Sequence, residues 1–184
     1  MKQLTSYNRV AGYLNKLFDL LNDHYFESSL VRPTITIQST PHAYGHFSMR
    51  DDTWVSVTGN SNEINIGAGT LARPIENDCA TPLHERSHYY CHVNGIKDTS
   101  RGNTYHNKRF KEVAESHGLI VKHDEKYGWT LTSPSDDLIE FILQNELMDI
   151  LITRNEFYGV AVAGTGAHSS TGTSVPPRTS SSRK

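Results

Sequence analysis

The segment that restricts this chain most is Thr81-Pro82-Leu83-His84-Glu85-Arg86-Ser87-His88-Tyr89-Tyr90. Residues four apart on an α-helix share one face and lie about 6 Å from each other. A helix here brings the imidazoles of His84 and His88 within reach of one cation. Glu85 is turned about 100° from His84, so it leaves the ligand row and can take a proton from a water held beside it. Two imidazoles, an open coordination position and a neighbouring carboxylate are the components of zinc-dependent peptide hydrolysis. The segment must therefore be helical, and a third ligand must reach it from elsewhere.

His106 is the candidate for that ligand. The chain has ten histidines. His92 continues the row but lies ~12 Å along the axis from His84, and His117 is about three turns beyond His106. His24, His42, His46, His123 and His168 are scattered and read as surface or hydrogen-bonded side chains. His106 follows Gly95 and the loop signal Asp98-Thr99-Ser100-Arg101-Gly102-Asn103. It stands at the start of a second helical pattern, His106 to Ser116, from which it can swing back towards the pair.

Two residues inside the motif and one before it complicate the picture. Proline costs about 3 kcal/mol inside a helix and little at its first position. Either Thr81 is the N-cap with Pro82 first, or the helix starts near Asn77 or Asp78 and bends at Pro82. Arg86 brings a positive charge beside a dication unless its side chain points away, and Ser87 places a hydroxyl there.

The rest of the chain reads as an α+β domain. Leu4 to Phe26 is an amphipathic helix with Val10, Leu14, Leu17, Phe18 and Leu21 on one stripe. Thr34 to Gln38, Tyr44 to Ser48, Thr53 to Val57 and Glu63 to Gly67 alternate as strands. Arg50-Asp51-Asp52 reads as a hairpin connection and Gly59 to Asn62 as a turn. This is a small, mainly antiparallel sheet preceding the metal-binding helix, which should end near Asn94 with Gly95 as its cap. The strands around Trp54 and Ile64 are expected to flank the cleft, with Trp54 in the core. Leu119 to Val121 and Trp129 to Leu131 form a hairpin, and Ser135 caps a last helix carrying Leu138, Ile139, Ile142, Leu143 and Leu147.

A formal charge of −2 over 184 residues gives no global sign of nucleic-acid binding. The basic stretch Lys97, Arg101, Lys108, Arg109 and Lys111, opposed mainly by Asp98, is either a solvated helix face or a rim for DNA or an acidic substrate. Cys79 and Cys91 lack metal-site spacing and read as reduced, packed thiols of a cytoplasmic protein. No stretch approaches the ~18 apolar residues of a membrane span. Residues 1–158 form the expected domain. From Gly159 to Lys184 a flexible tail of Gly, Ser, Thr and Pro is expected.

Taken together, several segments resemble the SprT-like zinc metallopeptidases, which include the Spartan-type proteases of DNA–protein crosslinks. They are Ala43 to Phe47, Glu63 to Ala68, Arg73 to Asn77, the His84–His88 motif, Asn94 to Gly102, Tyr105 to Phe110, Gly128-Trp129 and Pro134 to Phe141. The resemblance runs from about Leu14 to Leu147. It implies a zincin-like fold with His84, His88 and His106 as Zn²⁺ ligands and Glu85 as catalytic glutamate. It also implies a protein or peptide substrate, possible DNA contact and a role in DNA repair. Relatives often carry a zinc ribbon built on four cysteines, and this chain has only two. Apolar residues usually occupy the positions of Arg86 and Ser87 in that family, which leaves open a zinc-binding module that binds a partner without cleaving it. For a second oxyanion donor Tyr105 is the candidate, with Tyr89, Tyr90 and Arg101 as alternatives.

Overall fold

A computed structural model of the chain describes residues 2–4, 6–40, 43–71, 73–147 and 150–152. The expected tail, 159–184, lies outside the described residues. Among those described, the fold is of the mixed α+β class, with four α-helices and small sheets. No helix among them is long and apolar enough to cross a membrane.

The chain opens on a strand, β1 (Lys2–Leu4), and a helix, α1 (Tyr7–Phe26). The expected helix from Leu4 is thus shortened. Lys2 to Leu4 are extended because they pair in parallel with the last strand, β11 (Ile150–Ile152). The apolar stripe of α1 is buried as its spacing requires: Val10, Leu14, Leu17, Phe18 and Leu21 all lie in the core. Beyond α1, the side chain of Asn22 fixes the connection through Nδ2, which donates to the Leu30 carbonyl at 2.9 Å.

The sheet against α1 has the order β2 (Thr34–Gln38), β6 (Glu63–Gly67), β3 (Gly45–Phe47). β2 pairs with β6 in parallel and β3 with β6 antiparallel, so the sheet is mixed where a mainly antiparallel one was expected. Strand β3 and the short strands that follow it intervene between β2 and β6, which lets β2 and β6 run the same way. The expected hairpin at Arg50 to Asp52 is absent. Instead β4 (Trp54–Ser56) pairs with β5 (Gly59–Ser61), where a turn was expected. The chain reverses there because Gly59 takes φ +135, and Ser56 Oγ donates to the Gly59 carbonyl at 2.7 Å. Trp54 is not core: it is half-exposed, and its Nε1 donates to Glu63 Oε2 at 2.7 Å.

At the centre lies α2 (Ile75–Val93). Elements α1, β3 and β6 pack on it, together with the C-terminal elements. Its apolar residues accordingly follow no single stripe, and even Glu85, Arg86 and Ser87 are buried. The helix starts at Ile75, seven residues before Pro82, and so a start at Thr81 is excluded. Pro82 has no N–H for the Asp78 carbonyl. Cys79 and Cys91 are buried and unpaired.

After α2 come β7 (Thr99–Ser100), β8 (Tyr105–His106), α3 (Lys108–Ser116), β9 (Leu119–Asp124), β10 (Gly128–Pro134) and α4 (Asp136–Gln144). The four strands form a second sheet in the order β7-β8-β10-β9. His106 therefore sits on a strand rather than at the head of a helix. The reason is Asn107, whose side chain accepts from the Arg109 and Phe110 backbone N–H groups and starts α3 one residue later. The β9–β10 hairpin and the Ser135 cap, which accepts from the Leu138 N–H, follow the sequence pattern. Leu147 is buried beyond the end of α4, not on it.

Candidate metal centre

His84 and His88 project from one face of α2, and β8 carries His106 to them. One ring nitrogen from each of the three lies within 4.8 Å of the others. The ring centroids are 5.0 Å (His84–His88), 5.3 Å (His84–His106) and 4.9 Å (His88–His106) apart.

Each imidazole is held from behind. Nδ1 of His88 meets Asp98 Oδ2, Nδ1 of His106 meets the Tyr127 carbonyl at 3.3 Å, and Nδ1 of His84 meets Thr132 Oγ1 at 3.1 Å. A carboxylate and a carbonyl can only accept, which assigns the proton of His88 and of His106 to Nδ1. Their Nε2 atoms then carry bare lone pairs, and these face each other at 3.0 Å. Two converging lone pairs repel unless a cation lies between them. The donor set, three imidazole nitrogens with oxygen partners on their far sides, could hold a divalent transition-metal ion, and imidazole suits zinc, copper, iron and nickel alike.

Phe110 is the floor. It is fully buried, and its ring centroid is 4.7, 4.4 and 4.7 Å from those of His84, His88 and His106. One side chain thus limits the rotation of all three. Asn107 ties the two loops of the site: its N–H donates to the Asp98 carbonyl at 2.9 Å and its Nδ2 to the Lys97 carbonyl at 2.8 Å.

Electrostatics keep the imidazoles of His84 and His106 neutral. Burial, reinforced by the positive charge His88 and His106 would carry, holds His84 well below the ordinary histidine range. Burial and then His88 push His106 down to about 4. Glu85, 6 % exposed, is pushed up to about 7 by burial, against the pull of His88 and the Phe47 backbone N–H. A carboxyl balanced near neutrality can both take and return a proton.

The strand beside Glu85 is β3, not the strands of Trp54 and Ile64. A Cβ on Gly45 would lie 3.2 Å from Glu85 Cγ and 2.7 Å from the Asn65 carbonyl, so only glycine fits between sheet and helix. Main-chain groups of Tyr44 and Ser48 bond to β6. By the alternation of an antiparallel pair, those of Gly45 and Phe47 face away from β6.

Tyr105, expected as an oxyanion donor, has its hydroxyl on His123 Nε2 at 3.0 Å, and its neighbour His106 turns to the opposite side of the strand. Tyr89 donates to the Val31 carbonyl at 2.9 Å, Tyr90 packs on Phe26 and His117, and Arg101 lies over the Tyr105 ring. None of the four is brought to the histidine cluster. His92 pairs with Asp51 at 2.7 Å. Among the basic residues, Lys97, Arg101, Lys108 and Arg109 are exposed around the β7–β8 loop and the start of α3, while Lys111 pairs with Glu115.

Asp98, Thr132, Tyr127 and Phe110 were not singled out as site residues in the sequence. Asp98 carried a usable signal, an acid ten residues past His88 in a loop. Thr132, 48 residues from His84, carried none. Comparison of the chain with protein-family models, curated proteins and solved structures finds no match in any of the three.

Proposed function

We propose that the chain is a zinc-dependent endopeptidase of zincin-like architecture, with His84, His88 and His106 as metal ligands. The observation that supports it most is the set of three imidazoles converging beside the buried carboxyl of Glu85. Zn²⁺ held there would supply Lewis acidity and lower the pKa of a water to about 7.

The chain's own groups divide the remaining work. Glu85 accepts the proton of the attacking water and returns it to the leaving amine nitrogen. Asp98, Tyr127 and Thr132 hold the imidazoles in orientation. The outward main-chain groups of β3, apart from the Phe47 N–H that already meets Glu85, offer a ladder on which an extended protein or peptide substrate adds as a further strand. The exposed cations Lys97, Arg101, Lys108 and Arg109 all lie within nine residues of His106 in sequence, and support the narrower reading that substrates are DNA-associated.

The test is Glu85→Gln. The variant should bind one zinc per chain and lose cleavage of casein and of DNA-bound protein. Cleavage at the parent's rate would refute the role of Glu85.

A further inference from the structure

Glycine at position 45 lets β3 approach Glu85, but it gives the strand no side chain there to hold that distance. Its neighbours must do so. Phe47 holds the far end: its ring centroid lies 5.3 Å from that of Tyr89 and 5.6 Å from that of His92, both on α2. At the near end stands Tyr44, 37 % exposed, whose carbonyl accepts from the Gly67 N–H at 2.6 Å. That bond ties Tyr44 to β6 and not to the helix.

The tie to the helix is Arg73, just ahead of α2, whose N-cap is Pro74. Its guanidinium carbon sits 4.2 Å from the centre of the Tyr44 ring. Nη2 donates to Thr81 Oγ1 at 2.8 Å and pairs with Asp78 Oδ1 at 3.2 Å. Asp78 and Thr81 belong to α2, and Thr81 is four residues before Glu85, hence on the same face one turn away. The side chains of Asp78 and Arg73 are 5 % and 23 % exposed, so solvent screens the pair little. A planar guanidinium held along one edge can lay its face on a ring. The sequence of contacts Asp78–Arg73–Tyr44 therefore joins α2 to the start of β3.

We propose that Arg73 is a positioning residue for substrate: it fixes the Gly45 end of β3 against α2, so that the outward main-chain groups of the strand stand level with Glu85. This role rests on the endopeptidase reading above and adds to it the residue that sets the strand's position. An extended peptide adds to a strand through main-chain hydrogen bonds, and these need the strand in place before the peptide arrives. Arg73 acts through Tyr44, not on the reacting atoms.

The test uses the full zinc-loaded chain and a fluorogenic peptide of about ten residues. Main-chain bonds to β3 are made in the ground state and the transition state alike. Arg73→Gln should therefore raise KM about tenfold and leave kcat within about twofold, with zinc affinity unchanged. Tyr44→Leu, which keeps the Asp78 pair, should do the same. The double variant should be no worse than either single one, because both cut one sequence of contacts. Amide exchange at His46, whose main chain faces β6, should be faster in both variants. Additive losses, a loss confined to kcat, or unchanged exchange at His46 would overturn the proposal. Should Arg73→Gln not fold, Tyr44→Leu decides by KM and exchange. A parent that cleaves no peptide sinks the endopeptidase reading instead, and exchange at His46 then decides whether Arg73 holds β3.

Discussion

Nε2 of His88 and Nε2 of His106 face each other at 3.0 Å, and each ring has committed its Nδ1 proton to an oxygen behind it. The folded chain therefore holds two lone pairs in opposition, an arrangement that a dication relieves. Zinc should bind at one equivalent and raise the unfolding midpoint in proportion to ln[Zn²⁺] above saturation. His106→Ala should lose that response. Calorimetry showing undiminished zinc in the variant would exclude His106 from the centre.

Asp98 meets Nδ1 of His88 and would act on a bound metal only through that ring. Asp98→Asn keeps the shape and an acceptor oxygen but removes the charge that strengthens the imidazole as a ligand. Zinc affinity should fall by about 10- to 100-fold, read by competition with a chromophoric chelator. An unchanged affinity would reduce Asp98 to a loop residue.

Glu85 and the two depressed histidines act on stability in opposite directions in the metal-free chain. Glu85 titrates higher when folded, about 7, than when unfolded, so the unfolded state is favoured as pH rises from about 4.5 to 7. His84 and His106 titrate lower when folded, so their contribution is full above about 6.5 and is lost as pH falls towards 4. Glu85→Gln removes the first effect and keeps the second. Relative to the parent, the metal-free variant should gain stability between pH 4.5 and 7.5, by of the order of 3 kcal/mol. Urea unfolding at the two pH values measures it, and a constant difference would contradict a raised Glu85.

Gly45→Ala tests the close approach of β3 to α2. The new Cβ meets the Asn65 carbonyl at 2.7 Å and the Glu85 side chain at 3.2 Å, and backbone cannot yield cheaply. The expected cost is about 1–3 kcal/mol, together with displacement of Glu85 and a loss of turnover larger than any loss of zinc. A variant of normal stability and rate would mean that the strand and helix are farther apart.

Phe110→Leu keeps an apolar filler under the three imidazoles but removes the flat ring that limits their rotation. Zinc affinity should drop while the metal-free fold loses little, about 1 kcal/mol. Equal zinc affinity in parent and variant would leave Phe110 as ordinary core.

The local pattern was legible wherever neighbours in sequence decide structure. The stripe on α1, the hairpin before Ser135 and the cap of α4 depend on contacts a few residues long. So does the shared face of His84 and His88. Pro82 left two helix starts open, and the structure takes the earlier kind, at Ile75, because a helix buried on every side tolerates a missing backbone donor that an isolated helix would avoid. Tyr105 misled because a strand sends neighbours to opposite sides, and the sequence before Asn107 reads as readily as the start of a helix.

Arg86 shows the limit most plainly: between two candidate ligands in sequence, it faces away from both in space, with its guanidinium over the Phe18 ring. By itself the sequence determined which groups this chain can bring to a cation, since helical spacing places His84 and His88 together and the motif supplies Glu85. Only the tertiary structure decided that His106 arrives from a strand, that Asp98, Tyr127 and Thr132 orient the rings, and that Gly45 admits Glu85 beside the sheet. Those relations join segments up to 48 residues apart, and long-range packing carries no periodicity for a sequence to display.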